Sequence, residues 1–93
     1  MKYTIAMTPK IEFVPSAFRH GFAEEDIRWV LNNYLVDGVV EEDDETTRIA
    51  VGFDRAVNFL LEVMYHELED DTALVFHVME CRKKWLVKLG LEE

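Results

Sequence analysis

The chain is short of four things, and each shortage narrows what it can be. Its single cysteine, Cys81, excludes an internal disulfide and suits a reducing cytoplasm. One cysteine and three scattered histidines offer no zinc-site spacing. Glycine is scarce, with four residues. There is no Gly-rich phosphate loop and no Ser-His-Asp order, and the sequence calls for no cofactor. Apolar runs last only a few residues, too short to span a bilayer. The opening stretch, MKYTIAMTPKIEF, lacks the continuous apolar segment of a signal peptide. A cytoplasmic protein with no membrane partner is expected. Cations are the fourth shortage: ten Lys and Arg stand against 19 Asp and Glu, a net charge of −9. That argues against non-specific nucleic-acid binding, which needs cations to displace counterions from phosphates.

What is present describes an ordinary globular domain. Ninety-three residues, 49% apolar and 12% aromatic, make one domain over residues 1–93. So short a chain buries a modest core, which leaves room for a stable partner or a homodimer.

The periodicity sets the order of elements. Residues 2–7, KYTIAM, alternate Tyr3, Ile5 and Met7 with small or polar residues and read as a short strand. Residues 11–14, IEFV, are extended, because residues before Pro15 avoid the helical region. SAFRHG, 16–21, reads as one helical turn with Ser16 as N-cap and Gly21 as its stop. Residues 24–35 form an amphipathic helix with Ile27, Val30, Leu31, Tyr34 and Leu35 on one face. Glu24, Glu25 and Asp26 sit where negative charge suits its dipole. From residue 36 the period becomes two, giving strands near 36–42, 46–53, 57–66 and 72–80. CRKKWLVKLG closes the chain as a short helix with Cys81, Trp85 and Leu89 on its apolar stripe. The expected fold is α+β: an antiparallel meander of about four strands, N-terminal helices and a short C-terminal helix.

Matching apolar positions across the hairpins predicts a register. It pairs Ile49 with Val63, Val51 with Leu61, Phe53 with Phe59, Tyr65 with Leu74, Val63 with Phe76, and Leu61 with Val78. That face is the expected core, lying against the helices. The other face would carry Arg48, Ala50, Glu62, Met64, His66, Val75, His77 and Met79. Glu62 then stands directly opposite His77, with Arg48 in diagonal reach. An acid, an imidazole and a guanidinium so gathered suit general acid–base chemistry with an electrophilic arginine. The same residues also read as a cross-strand charged pair on a solvated face, worth under about 1 kcal/mol.

Charge is distributed unevenly. Nine acids, Glu41, Glu42, Asp43, Asp44, Glu45, Glu67, Glu69, Asp70 and Asp71, fall in or beside two turns expected at one end of the sheet. Arg82, Lys83, Lys84 and Lys88 fall within seven residues that hold no acid, at the other end. Cations in the first turn of a helix oppose its dipole. An anion such as a phosphate backbone, or a partner's carboxylates, would favour them there. A solvated helix face offsetting excess negative charge is the plainer alternative.

Short motifs run in a familiar order: Arg19-His20-Gly21, Glu24-Glu25-Asp26-Ile27, Ile49-Ala50-Val51-Gly52, the Asp54-Arg55 turn, Leu60-Leu61-Glu62-Val63, and His77-Val78-Met79-Glu80-Cys81-Arg82-Lys83-Lys84-Trp85. This order is similar to small BrnT-type toxins of the RelE-like ribonuclease superfamily, especially a branch with a His-x-Met-x-x-Arg ending. The resemblance covers roughly residues 16–89. It implies a ribonuclease-like fold with helices on one sheet face, an RNA site on the other, and an antitoxin protein as partner. Carried onto this chain, it points to Arg48, His77 and Arg82, with Arg55 and Lys84 as lesser candidates. The chain departs from the family in its small number of cations and in Glu12-Phe13-Val14-Pro15, where a Trp-Asp pair is usual.

Two functions follow as expectations. One is a toxin-like protein of a type II toxin–antitoxin system with metal-independent RNA cleavage. Its catalytic set would be His77, Glu62, Arg48 and Arg82, with Arg55, Arg82, Lys83 and Lys84 on RNA phosphates. The other is a non-catalytic interaction module or homodimer of the same fold.

Overall fold

A computed structural model describes residues 10–41 and 44–92. The strand expected at residues 2–7 lies outside the described residues. Eight elements follow in chain order. They are β1 (Ile11–Phe13), a 3-10 turn (Pro15–Phe18), α1 (Glu24–Asn33), β2 (Val36–Glu41), β3 (Asp44–Phe53), β4 (Leu60–Glu67), β5 (Ala73–Glu80) and α2 (Lys83–Lys88).

The protein is α+β, but among the described residues its sheet is mixed and five-stranded, in the order β1-β5-β4-β3-β2. Strands β2 to β5 pair antiparallel with their neighbours in sequence. The short segment before Pro15 adds β1 in parallel to β5, Ile11 beside Ala73 and Phe13 beside Val75. Three residues give too little pattern to reveal that pairing.

Pro15 enters the 3-10 turn at its first position, where its fixed φ costs nothing and its missing N–H is not needed. Ser16 does not cap that turn. Val14 holds the cap position, and the Ser16 hydroxyl donates to the Phe76 carbonyl on β5 at 2.7 Å. Helix α1 also starts without a side-chain cap, at Ala23, and the three acids of its first turn compensate. It buries Ile27, Val30 and Leu31. It stops at Asn33, not residue 35: Tyr34 is extended, and the Leu35 N–H bonds Val51 in the sheet. Tyr34 and Leu35 are accordingly exposed.

Both faces of the sheet are covered, which corrects the expectation of a single core face. On one, α1 packs with Ala50, Leu61, Val63, Tyr65, Val75 and Val78. On the other, Trp85 of α2 packs with Ile49, Val51 and Met64. The cause is register. β3 and β4 pair Ala50 with Val63 and Val51 with Glu62, one residue from the apolar match. A one-residue slip sends every β3 side chain to the opposite face. The turn selects this register: the buried Asp54 carboxylate accepts from the Asn58 N–H at 2.8 Å, and Asp54 N–H bonds the Phe59 carbonyl. Phe53 therefore pairs with Leu60, and both Phe53 and Phe59 stay exposed.

A second irregularity lies on β5. His77 stands opposite Met64 while Val75 stands opposite Tyr65, so Phe76 is an extra residue, a β-bulge. The bulge lets Val75 and Val78, three residues apart, both bury against α1. Strict alternation would have put them on opposite faces. On the α2 side, Leu89 lies over Gly38 of β2, where a Cβ would come within 2.9 Å of the Leu89 Cδ2.

Candidate functional site

The central residue of the site is Glu62, fully buried although charged. It lies on the α2 face, between Val51 of β3 and Met79 of β5. A bare carboxylate there would be untenable, and nitrogens of Arg82 and His77 are turned onto it. Arg82, the residue at the start of α2, gives its backbone N–H to Oε1 at 2.9 Å. Its guanidinium reaches Oε1 from Nε at 3.2 Å and Oε2 from Nη2 at 2.7 Å. His77 Nε2 meets Oε2 at 2.8 Å. Burial alone would push the Glu62 carboxyl up. The hydrogen bonds from the Arg82 side chain and backbone, then from His77, outweigh it and hold the carboxyl below its usual value.

The partners are less buried than the acid. The Arg82 side chain keeps 42% of its surface exposed and His77 keeps 24%. Both line a cleft of about 330 Å³ with Ser16, Arg19, His20, Met64 and Phe76. The His20 ring lies edge-on to His77, centroids 6.0 Å apart. The Ser16–Phe76 hydrogen bond ties the 3-10 turn to the bulge and so holds Arg19 and His20 over β5. The bulge in turn brings His77, opposite Met64, into diagonal contact with Glu62.

No protein-family model matches this chain, and neither does any curated protein or solved structure. Its functional reading rests on its own geometry.

Among the residues singled out from sequence, Glu62, His77 and Arg82 converge. Glu62 and His77 are not directly opposite, as the apolar register had them, but diagonal, the pairing being offset by two residues. An even offset preserves the face, so the contact survives. Arg48 does not join them. It stands opposite Tyr65 on the α1 face and bonds Asp37 at 3.1 Å. The one-residue slip between β3 and β4 is the reason. Arg55 is also elsewhere, with Nε on the Asp26 carboxylate of α1 at 3.1 Å. Lys83 is exposed, its Nζ 3.9 Å from Glu92. Lys84 lies 5.3 Å from the Trp85 ring centre, on the outside of α2. Of the Arg82-Lys83-Lys84 run, only Arg82 turns into the cleft.

Arg19 and His20 escaped the pattern reading. They belong to one of the motifs carrying the BrnT resemblance, but nothing local indicates that their turn lies over His77. Cys81 is beside the site without reacting into it. Burial, then the Glu62 charge, pushes its thiol up to about 11, so it stays protonated at neutral pH.

Proposed function

We propose that the cleft binds an RNA phosphodiester and that the protein is a toxin-like member of a type II toxin–antitoxin system, cleaving RNA without a metal ion. The observation that carries this reading is the convergence of two imidazoles and two guanidiniums, His20, His77, Arg19 and Arg82, around one open cleft. Glu62 is the acid bonded to this group, and it is sealed beneath it.

The chemistry suits RNA. Attack of the 2′-hydroxyl on the adjacent phosphorus forms a 2′,3′-cyclic phosphate and expels the 5′-oxygen. A base must take the hydroxyl proton, and an acid must protonate the leaving oxygen. His77, held in one orientation by Glu62, and His20 across the cleft provide such a pair. Arg82 spends Nε and Nη2 on Glu62, yet its exposed portion faces the cleft, and with Arg19 it stabilises the charge building on the phosphoryl oxygens. Placing Arg19 and Arg82 together in one cleft reconciles RNA binding with a net charge of −9. Arg48, Arg55, Lys83 and Lys84 have no part in this arrangement.

The test is incubation of purified protein with cellular RNA and a search for fragments ending in cyclic phosphate. Cleavage by the native chain, lost by at least 100-fold in His77→Ala and in His20→Ala but kept in Arg48→Met, is the expected result. Equal cleavage by all four proteins would sink the assignment. The second reading, a non-catalytic interaction module or homodimer, is favoured by a different observation. Trp29, Leu35, Phe53, Val57 and Phe59 are large, apolar and exposed. A concentration-dependent dimer with no RNA cleavage and no growth arrest on expression would establish it instead.

A further inference from the structure

The bulge on β5 moves an aromatic side chain as well as His77. His77 faces the α2 side of the sheet, where it meets Glu62. In an unbroken strand its neighbour Phe76 would face the opposite side, in the core under α1. As the extra residue of the bulge it does not. It packs instead against the cluster of the α2 side, formed by Ile49, Val51, Met64 and Trp85. There it is half-buried and lines the same cleft as Arg19, His20, His77 and Arg82. We infer that the Phe76 ring, backed by His66, is the stacking platform for a nucleobase in this cleft. The inference rests on the reading of the cleft as an RNA site and adds where a base would sit in it.

Three observations carry it. The first is an existing stack. His66 follows Glu62 and Met64 at alternate positions of β4 and so shares their face. Its ring lies against that of Phe76, centroids 4.6 Å apart and planes inclined by 22°. One face of Phe76 is thus taken by a second flat ring, and a base on the other face extends the pile. The second observation is that both layers are held. Thr47 Oγ1 lies 3.1 Å from His66 Nδ1, and the Ser16 hydroxyl donates to the Phe76 carbonyl at 2.7 Å. A platform fixed in advance has little freedom to lose when a base arrives. The third is the division of the cleft. Arg19 and Arg82 offer charge to a phosphate, whereas Phe76 and Met64 form an apolar wall. A nucleotide has both parts, an anion and a flat, weakly polar ring. Stacking on an aromatic side chain tolerates every base but strengthens with the area of overlap, which favours a purine over a pyrimidine.

Titrations of the native chain with adenosine 5′-monophosphate and with ribose 5-phosphate, followed by NMR, test the platform. The two probes carry the same phosphate and differ in the base. The adenosine nucleotide should bind at least tenfold more tightly, with ring-current shifts on the ring protons of Phe76 and His66. Uridine 5′-monophosphate should fall between the two. Phe76→Leu keeps an apolar side chain against Met64 but has no flat ring. It should bring the adenosine nucleotide down to the affinity of ribose 5-phosphate, and leave ribose 5-phosphate unchanged. Phe76→Tyr, which restores a ring, should recover the advantage. Equal binding of adenosine nucleotide and ribose 5-phosphate by the native chain would overturn the platform and leave the phosphate reading standing, a result that depends on no variant. Binding of neither probe would overturn the cleft reading and the platform together. An adenosine advantage that survives Phe76→Leu would put the base elsewhere and overturn the platform alone.

Discussion

Two arginines of this protein each hold a carboxylate, on opposite faces of one sheet, and they do so on very different terms. Arg82 meets Glu62 where the acid is fully buried, through its backbone and two guanidinium nitrogens, with His77 as a further partner. Arg48 meets Asp37 through one contact of 3.1 Å, in a pair that keeps about a quarter of each side chain in water. The comparison teaches that the weight of an ion pair follows the burial of its members and the number of donors on them. A buried acid whose donors are removed is left charged in a poor solvent, whereas a half-exposed acid rehydrates.

The largest expected contrast comes from deleting the two arginines. Arg82→Ala should lower stability by about 3–5 kcal/mol, because Glu62 loses its guanidinium in a buried site. Arg48→Ala should cost no more than about 1 kcal/mol. Urea unfolding of both variants checks the difference, and equal costs would erase the distinction drawn between the two faces. Glu62→Gln comes next, at about 1–3 kcal/mol, since the amide keeps one acceptor and Arg82 is half-exposed to water.

The same residue predicts an acid limb. The folded-state carboxyl of Glu62 is held below the ordinary value of 4.5. Its contribution is therefore complete above that value and is lost as pH falls through the lowered one. Asp26 and Asp70 are lowered too, so the limb is shared. Subtracting the pH–stability curve of Glu62→Gln from that of the native chain should isolate a component confined to pH below about 4.5. A flat difference curve there would show that Arg82 and His77 do not shift this acid.

The smallest perturbation leaves the fold intact. Cys81, with its thiol near 11 rather than 9.0, should react with iodoacetamide at pH 8 roughly 100-fold more slowly than an unperturbed thiol. Alkylation at the free rate would mean that the edge of the Glu62 cleft is open to water. The Arg48 face has no such reporter.

Much of the fold was legible. The order and type of the elements from residue 11 onward follow from hydrophobic period, Pro15 and the acid-led start of α1. What was not legible was phasing. Apolar matching placed β3 one residue from its true register, because the constraint lies in the Asp54–Asn58 turn, not in the strands. That slip carried Arg48 to the wrong face. The β4–β5 hairpin is itself one residue off the apolar match and the Phe76 bulge adds a second, so Glu62 and His77 were correctly joined for an incorrect pairing. Arg19 and His20 were missed because their turn reaches β5 through Ser16 and Phe76, sixty residues apart in sequence.

By itself the sequence determined which segments from residue 11 onward are helices and strands, because period, first-turn charge and breakers act over a few residues. It also determined that cations are scarce and that four of the ten fall within residues 82–88. Which of them face a cleft was decided only when the sheet formed. Side-chain facing depends on register to the single residue, and register is settled by turns, bulges and packing on both faces at once. The buried charge of Glu62 is the clearest case. No local pattern marks residue 62 as buried, and only the tertiary fold brings Arg82 and His77 close enough to make that burial tolerable.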